Sequence, residues 1–288
     1  MSLQKHPIRI VTDSAARLPL DWAQENGVLV LPHTIKLGGH VHREDVDLDE
    51  AALADKLKLH HMPFSVAGPL TDDFMRVYKE LADAKVDVIS LHISSGLSET
   101  VQNAMRARED YRGRCNIQVI DSQSMALGLN ELVRAAVELV NRGHTLEVIV
   151  KQLRGLMQNI YGIFISDDMP YLENSRRLRP AQSVLGKMLE IIPCLSLEEG
   201  NLVAVEKVRS PERAIEKLTE FAAEFDEDAK VAVLQLLPAH TERTDALLES
   251  LALAFPDKKQ IPVFSCGVNV GSIIGPAGIG VMIYEGKI

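Results

Sequence analysis

Residues 86–105, VDVISLHISSGLSETVQNAM, constrain the fold more than any other stretch of this chain. Val86 to Ile93 reads as a buried strand, because its residues are β-branched, apolar or small and carry little charge. Ser94-Ser95-Gly96-Leu97-Ser98 reads as a turn, and a helix is expected from about Ser98 onward. A strand that passes through a hydroxyl-rich turn into a helix N-terminus gathers backbone N–H groups without helical partners. Those groups, the helix dipole and three serine hydroxyls suit an anion such as a carboxylate or a phosphate. The same residue types also cap helices. On this stretch alone both readings stand.

The 288 residues are enough for one large domain or two modest ones. Hydrophobic residues make up 46% and charged residues 25%, so a sizeable core can be buried. The formal charge of −9, without basic clusters, argues against a nucleic-acid surface. It leaves small anionic ligands open, since a local site can oppose the global sign. Cys115, Cys194 and Cys266 are far apart, form no CxxC and have no metal spacing, so isolated buried thiols in a reducing compartment are expected. The start, MSLQKHPIRIV, has no signal-peptide core, and no apolar run approaches membrane-spanning length. A cytoplasmic protein is the expectation.

Strands and helices alternate along the first half. Ile8 to Val11 is a strand ending at Thr12-Asp13-Ser14, and Leu18 to Asn26 a helix. Val28 to Ile35 is a strand interrupted by Pro32, and Gly38-Gly39 a hairpin-type turn. Glu44 to Asp49 is an acidic loop, Leu48 to Leu59 a helix, and His60 to Thr71 a Pro- and Gly-containing loop. Helix Phe74 to Ala84 precedes the opening stretch. Strand Asn116 to Ile120 ends in Asp121-Ser122, and helices 127–142 and 146–161 follow. Three strand ends thus carry polar turns: Asp13-Ser14, Ser94-Ser95 and Asp121-Ser122. On one parallel sheet all three would face its ligand-binding edge. Asp13 and Ser14 are therefore candidate site residues, with helix capping as their alternative role.

From about residue 161 the pattern changes. Strand Tyr161 to Ser166 is followed by a charged loop and helix start at 167–178 and a helix at 181–189. Strands 191–197 and 202–208 form a hairpin across Glu198-Glu199-Gly200-Asn201. Helix 211–225, strand 231–237, helix 241–254, strand 261–266 and strand 281–284 complete the chain. The fold class is α/β: a domain at 1–160 with a largely parallel sheet flanked by helices, then an α+β domain at 161–288.

The chain has no nucleophile elbow, Walker loop or HExxH, and GPAGIG near the C-terminus precedes a strand, the wrong context for a dinucleotide fingerprint. His60-His61 lacks a third metal ligand at useful spacing. No metal, cofactor or catalytic residue is expected. Arg176-Arg177 suit an acidic partner or a phosphate, or are a solvated surface pair.

IVTDSAARLP, ISSGLSETVQNA, VIDS, the block from YLENSRRL to EKVRSPERAI, and GPAGIG occur in this order along nearly the whole chain. Together they resemble the DegV family of lipid-binding proteins, which includes the carrier subunit of bacterial fatty acid kinase. The resemblance implies two lobes with a long-chain fatty acid between them. It implies an acyl tail in an apolar tunnel and a carboxylate held at the serine turn. A kinase catalytic subunit would be the partner that phosphorylates the presented carboxylate.

The family's ISSxLSGT motif is Ile93 to Thr100 here, which makes Ser98 the carboxylate-binding serine with Ser95 and Ser94 beside it. Glu99 replaces the usual glycine. The family's Thr-Ser pair falls on Val66-Ala67, leaving Ser65 as the nearest hydroxyl. Arg177 keeps the arginine of the family's GGR segment, and the histidine of its terminal motif has become Ile273. Two expected polar groups are therefore apolar. Losing one hydrogen bond to a charged group costs about 1.5–3 kcal/mol, whereas each buried CH₂ of a tail still contributes about 0.8 kcal/mol. A non-enzymatic fatty-acid carrier is the first reading. The alternative is a divergent lipid-binding protein for an apolar ligand with a neutral or smaller head group. A catalytically active acyl-transfer subunit is a third, opposed by the lost histidine and the missing nucleotide loop.

Overall fold

A computed structural model describes residues 7–60, 64–166, 168–175 and 191–286. The chain begins β1 (Ile8–Asp13), α1 (Leu20–Glu25), β2 (Val28–Leu31), β3 (Thr34–Leu37), β4 (His40–Arg43), α2 (Glu50–His60) and β5 (Ser65–Ala67). It continues α3 (Thr71–Asp83), β6 (Asp87–His92), α4 (Thr100–Arg108), β7 (Ile117–Asp121), α5 (Ala126–Asn141) and α6 (Leu146–Leu156). Then come β8 (Ile160–Ile165), α7 (Met169–Ser175), β9 (Ile192–Glu198), β10 (Asn201–Val208), α8 (Pro211–Ala222) and β11 (Lys230–Gln235). Last are α9 (Glu242–Ala254), β12 (Val263–Ser265), α10 (Gly267–Ile274) and β13 (Ile279–Tyr284).

The first sheet is parallel throughout, in the order β2-β1-β6-β7. Its strands are apolar on both faces, as a parallel sheet covered twice requires. Val11, Val88 and Ile117 turn to one side and pack on Phe74 and Tyr78 of α3 and Ala104 of α4. Ile10, Ile89, Leu91 and Ile120 turn to the other and meet α5 and α6. The second sheet runs β10-β9-β8-β13-β11-β12 and is antiparallel except for the β11–β12 pair. Ile163, Ile165, Val231, Val233, Val281 and Ile283 meet α8 and α9. The alternate residues Phe164, Ala232, Leu234 and Met282 join the cluster that holds α5.

Helix α5 is therefore shared. It touches β1 and β6 of one sheet and β12 and β13 of the other, and Leu129, Leu132, Val133, Ala135 and Ala136 have no exposed surface. The layers run α3/α4, first sheet, α5, second sheet, α8/α9. The expected α/β class and parallel sheet are observed.

Four local expectations change. The strand expected at 28–35 is two strands: β2 closes the parallel sheet, and after Pro32-His33 the chain enters a separate antiparallel sheet, β4-β3-β5. Proline cannot donate to a ladder, so the break falls there. Residues 65–67, expected within a loop, form β5, too short to show alternation. The helix expected to reach Tyr161 ends at Leu156; a 3₁₀ turn at Met157–Asn159 leads into β8. Residues 267–274 form α10, which the sequence reading left unassigned. Gly275, with φ of 78°, ends α10, so GPAGIG stops a helix and turns the chain into β13. The expected helix at 181–189 and Arg176-Arg177 lie outside the described residues.

Candidate functional site

The three polar strand ends do converge. In the parallel register His92 sits opposite Asp121 and Ser90 opposite Val11, so Asp13, Ser94-Ser95 and Asp121 share one sheet edge. Their polar groups, however, are largely spent on one another. Asp13, fully buried, accepts from the Ile93 N–H at 3.0 Å, from the Ala15 N–H at 3.2 Å, and pairs with His92 Nδ1 at 2.9 Å. Burial opposes its charge, but the His92 hydrogen bond, the two nearby imidazoles and the Ile93 N–H outweigh it and hold the carboxyl below its usual range.

The serine turn is corrected in the same sense. Its N–H groups are not free for an anion. Ser94 N–H bonds Ser124 O, Ser95 N–H bonds Asp121, Gly96 N–H bonds Ser94 Oγ, and Leu97 and Ser98 N–H both bond Ser94 O. Ser95 Oγ donates to Asp121 Oδ2 at 2.5 Å. Ser94 Oγ donates to Gly200 O at 2.6 Å, which ties the turn to the β9–β10 hairpin of the second sheet. Gly200 has φ of 79°, and a Cβ there would overlap Ser94 Oγ. Glu99 is exposed and α4 begins one residue later, at Thr100.

Ser98 differs from its neighbours. Its hydroxyl, 2% exposed, lies 2.8 Å from Thr100 Oγ1, and Thr100 Oγ1 lies 3.3 Å from His33 Nε2. His33 sits at the bend after Pro32. Its Nδ1 lies 2.9 Å from Ser14 Oγ, and Ser14 Oγ donates to Glu44 Oε2 at 2.5 Å. Burial pushes the His33 imidazole below its usual pKa, against the pull of Asp13. Glu44 also pairs with Arg17 at 3.2 Å and accepts from the Val268 N–H at the start of α10 at 3.4 Å. Burial raises its carboxyl to about 7, with Arg17 and Ser14 opposing. Ser14 is thus a junction of a buried network between the halves. His33, His92, Glu44 and Thr100 were not read as site residues from the sequence because their partners lie up to 224 residues away.

Beside this network is a cleft of about 410 Å³. Lys36, Phe64, Ser65 and Val66 border it from the small sheet, and Leu97 from the serine turn. Asn174 and Ser175 at the end of α7, and Asn269, Ser272 and Ile273 of α10, close the opposite side. Phe64 meets Tyr171 of α7 edge to face at 5.8 Å, holding the two sides together. Gly68 approaches Ser98 and Thr100 so closely that a Cβ would lie 2.8 Å from Ser98 Oγ. Ser98 is therefore just behind the wall formed by Leu97 and the β5 segment. The structure brings Ser65, Val66 and Ile273 together at the cleft with Ser98 behind it. Asp13 and Ser14 lie in the adjoining buried network, Ser94 is tied to Gly200 and the partly exposed Ser95 to Asp121, and Arg177 is outside the described residues. Lys36, Asn174, Asn269 and Ser272 were missed. For Asn269 a signal existed: a lone amide inside the apolar run 268–274.

Among the described residues no helix is long and apolar enough to cross a membrane, and no cluster of His, Cys, Asp and Glu could hold a metal ion. The three cysteines are free thiols; Cys194 and Cys266 are buried and Cys115 partly exposed.

Known proteins share both the sequence and this architecture. A DegV domain-containing protein of Caldanaerobacter subterraneus is 31% identical over 282 residues, 96% of this chain and 99% of its own. Protein DegV of Bacillus subtilis is 26% identical over 279 residues, 95% and 98% of the two chains. The crystal structure of DegV from Bacillus subtilis, described as a fatty acid binding protein, superposes with a TM-score of 0.84 at 25% identity, covering 98% of this chain and all of that one. A DegV family protein from Thermus thermophilus, described by its fatty acid binding, gives 0.81 at 29% identity over 96% and 99% of the chains. The family model described as "uncharacterised protein, DegV family" matches residues 7–286. With all the strands of both large sheets inside that match, this chain belongs to the DegV family.

Proposed function

We propose that this protein binds a long-chain fatty acid without transforming it. The acyl tail lies in an apolar tunnel between the halves, and the carboxylate at the inner end of the cleft, beside the serine turn 94–98. The observation that carries the reading is the cleft itself: Ser65, Val66, Leu97 and Ile273 come from three distant segments and line one cavity. They are the segments whose resemblance pointed to a head-group site, and two structural relatives at 25% and 29% identity are described as fatty acid binding. Ser98 is the serine proposed to meet the carboxylate, because Ser94 and Ser95 hold Gly200 and Asp121. The domain division near residue 160, a cytoplasmic location and presentation of the carboxylate to a fatty acid kinase belong to the same proposal. Mass spectrometry of lipid extracted from the purified protein, with titration by hexadecanoic acid, tests it. A protein that carries no acyl species and takes up no fatty acid sinks it; ATP-dependent turnover by the isolated chain would argue for an enzyme instead.

A second reading rests on Val66 and Ile273, both apolar at the cleft. It gives the ligand a neutral or smaller head group. Competition between hexadecanoic acid and hexadecan-1-ol separates the two: equal competition supports the second reading, and a clear preference for the acid supports the first.

A further inference from the structure

One buried polar group at the cleft has no hydrogen-bond partner among the described residues. It is Nδ2 of Asn269, a residue 5% exposed. Buried amides are nearly always hydrogen bonded, so an unpaired one needs an explanation. Packing does not supply it. Val268 and Val270 on either side are buried, and a leucine would fill the same place in this apolar helix without desolvating an amide. Nor does Ser272, whose hydroxyl donates to the Asn269 backbone carbonyl at 2.8 Å.

Position supplies a better account. Asn269, Ser272 and Ile273 are spaced i, i+3, i+4 on α10, and all three line the cleft. Val66 and Ile273 offer no hydrogen bond there, while Lys36 brings an ammonium group to the opposite side from β3. The amide is planar, so a half-turn about its Cβ–Cγ bond exchanges Oδ1 and Nδ2 and can turn the N–H₂ toward the cavity.

We propose that Asn269 reads the head group of the bound acyl ligand, its side-chain N–H donating to a head-group oxygen in the cleft. Lys36 supplies positive charge from the facing wall of the cleft. The inference rests on the fatty-acid-binding reading above and names the residue that sets head-group preference at that site.

The test compares hexadecanoic acid and hexadecan-1-ol binding to the full chain and to Asn269→Leu and Asn269→Asp, with folding checked by thermal melting. Asn269→Leu is expected to weaken acid binding about tenfold, the effect of losing a hydrogen bond to a charged group. Asn269→Asp, at pH 8, is expected to weaken the acid more than the alcohol, because two carboxylates then face each other. Wild-type affinity for the acid in a folded Asn269→Leu protein overturns the inference and leaves fatty-acid binding standing. Failure of the unaltered protein to bind either probe overturns both. A crystal structure with hexadecanoic acid decides independently of any variant: a carboxylate oxygen within hydrogen-bond distance of the Asn269 amide is expected, and a head group bonded elsewhere refutes the assignment.

Discussion

His33 Nε2 lies 3.3 Å from Thr100 Oγ1, so the charge on Glu44 and the His33 tautomer it selects set the direction of the hydrogen bonds that reach Ser98. With Glu44 ionised, Ser14 Oγ gives its proton to Glu44 and accepts from the His33 backbone N–H and from Nδ1. A neutral imidazole that donates through Nδ1 accepts through Nε2. Thr100 then donates to His33, and Ser98 donates to Thr100. The Ser98 proton is engaged before any ligand arrives, and an incoming carboxylate must draw it away. Above about pH 7, where Glu44 is ionised, Thr100→Val should therefore strengthen acid binding while destabilising the fold by about 1–3 kcal/mol, since His33 Nε2 loses its donor. Calorimetric titration together with urea unfolding measures both effects, and weaker binding in this variant would contradict the assigned direction.

Ser98→Ala should weaken hexadecanoic acid binding about tenfold, with little change in melting temperature. The two outcomes are separable because Ser98 is not the hydroxyl that joins the halves. Unchanged affinity would reduce the serine turn to a structural cap.

Gly200 and Ser94 give a prediction about stability alone. Ser94→Ala removes the hydrogen bond to Gly200 O and the acceptor of the Gly96 N–H, and should cost about 1–3 kcal/mol. Gly200→Ala should cost more, because alanine resists φ of 79° and its Cβ overlaps Ser94 Oγ. Denaturant titrations of the two variants give the order.

Glu44 makes stability depend on pH in a defined window. Its folded pKa is raised from 4.5 to about 7, so the native state keeps a proton that the unfolded chain has released. That contribution is full below pH 4.5, falls as pH rises to about 7, and is constant above. His33, lowered by burial, acts in the opposite sense: its contribution is present above 6.5 and is lost as pH falls. The Glu44 part is isolated by comparison with Glu44→Gln, which cannot titrate. The melting temperature of Glu44→Gln minus that of the unaltered protein should increase between pH 4.5 and 7 and then level off. A difference independent of pH would show that Glu44 is ionised throughout.

Val66→Thr restores a hydroxyl at a half-buried cleft position. It should raise affinity for hexadecanoic acid by up to about tenfold, and for hexadecan-1-ol by less. An equal gain for both ligands would place the hydroxyl away from the head group.

Legibility in the sequence followed the reach of the forces involved. The strands at 8–13, 87–92 and 117–121 and the helix at 126–141 are set by local apolar patterning, and all could be read. So could the meeting of Asp13, Ser95 and Asp121 at one edge, because parallel sheets align their strand ends. What those groups do there could not be read: whether Ser95 meets a ligand or Asp121 depends on a partner 26 residues away. The bend at Pro32-His33 was visible, but not that it moves the chain into another sheet and buries a histidine beside Thr100. Helix α10 was missed because Gly267, Gly271 and Gly275 break its sequence. Glu44 looked like part of a solvated acidic loop, since nothing local shows that Arg17 and the start of α10 enclose it.

The double burial of α5 limits how a ligand gets in. One face of this helix is bound into the parallel sheet and the other into the mixed sheet, so swinging the halves apart like a clamshell would expose one apolar face of the helix together with the sheet face it leaves. Each large apolar side chain exposed costs about 1.5–3 kcal/mol, and several of them together would rival the total stability of an ordinary domain. Under the proposed function, an acyl chain would enter by local displacement around the cleft mouth, while the shared helix keeps its packing on both sheets.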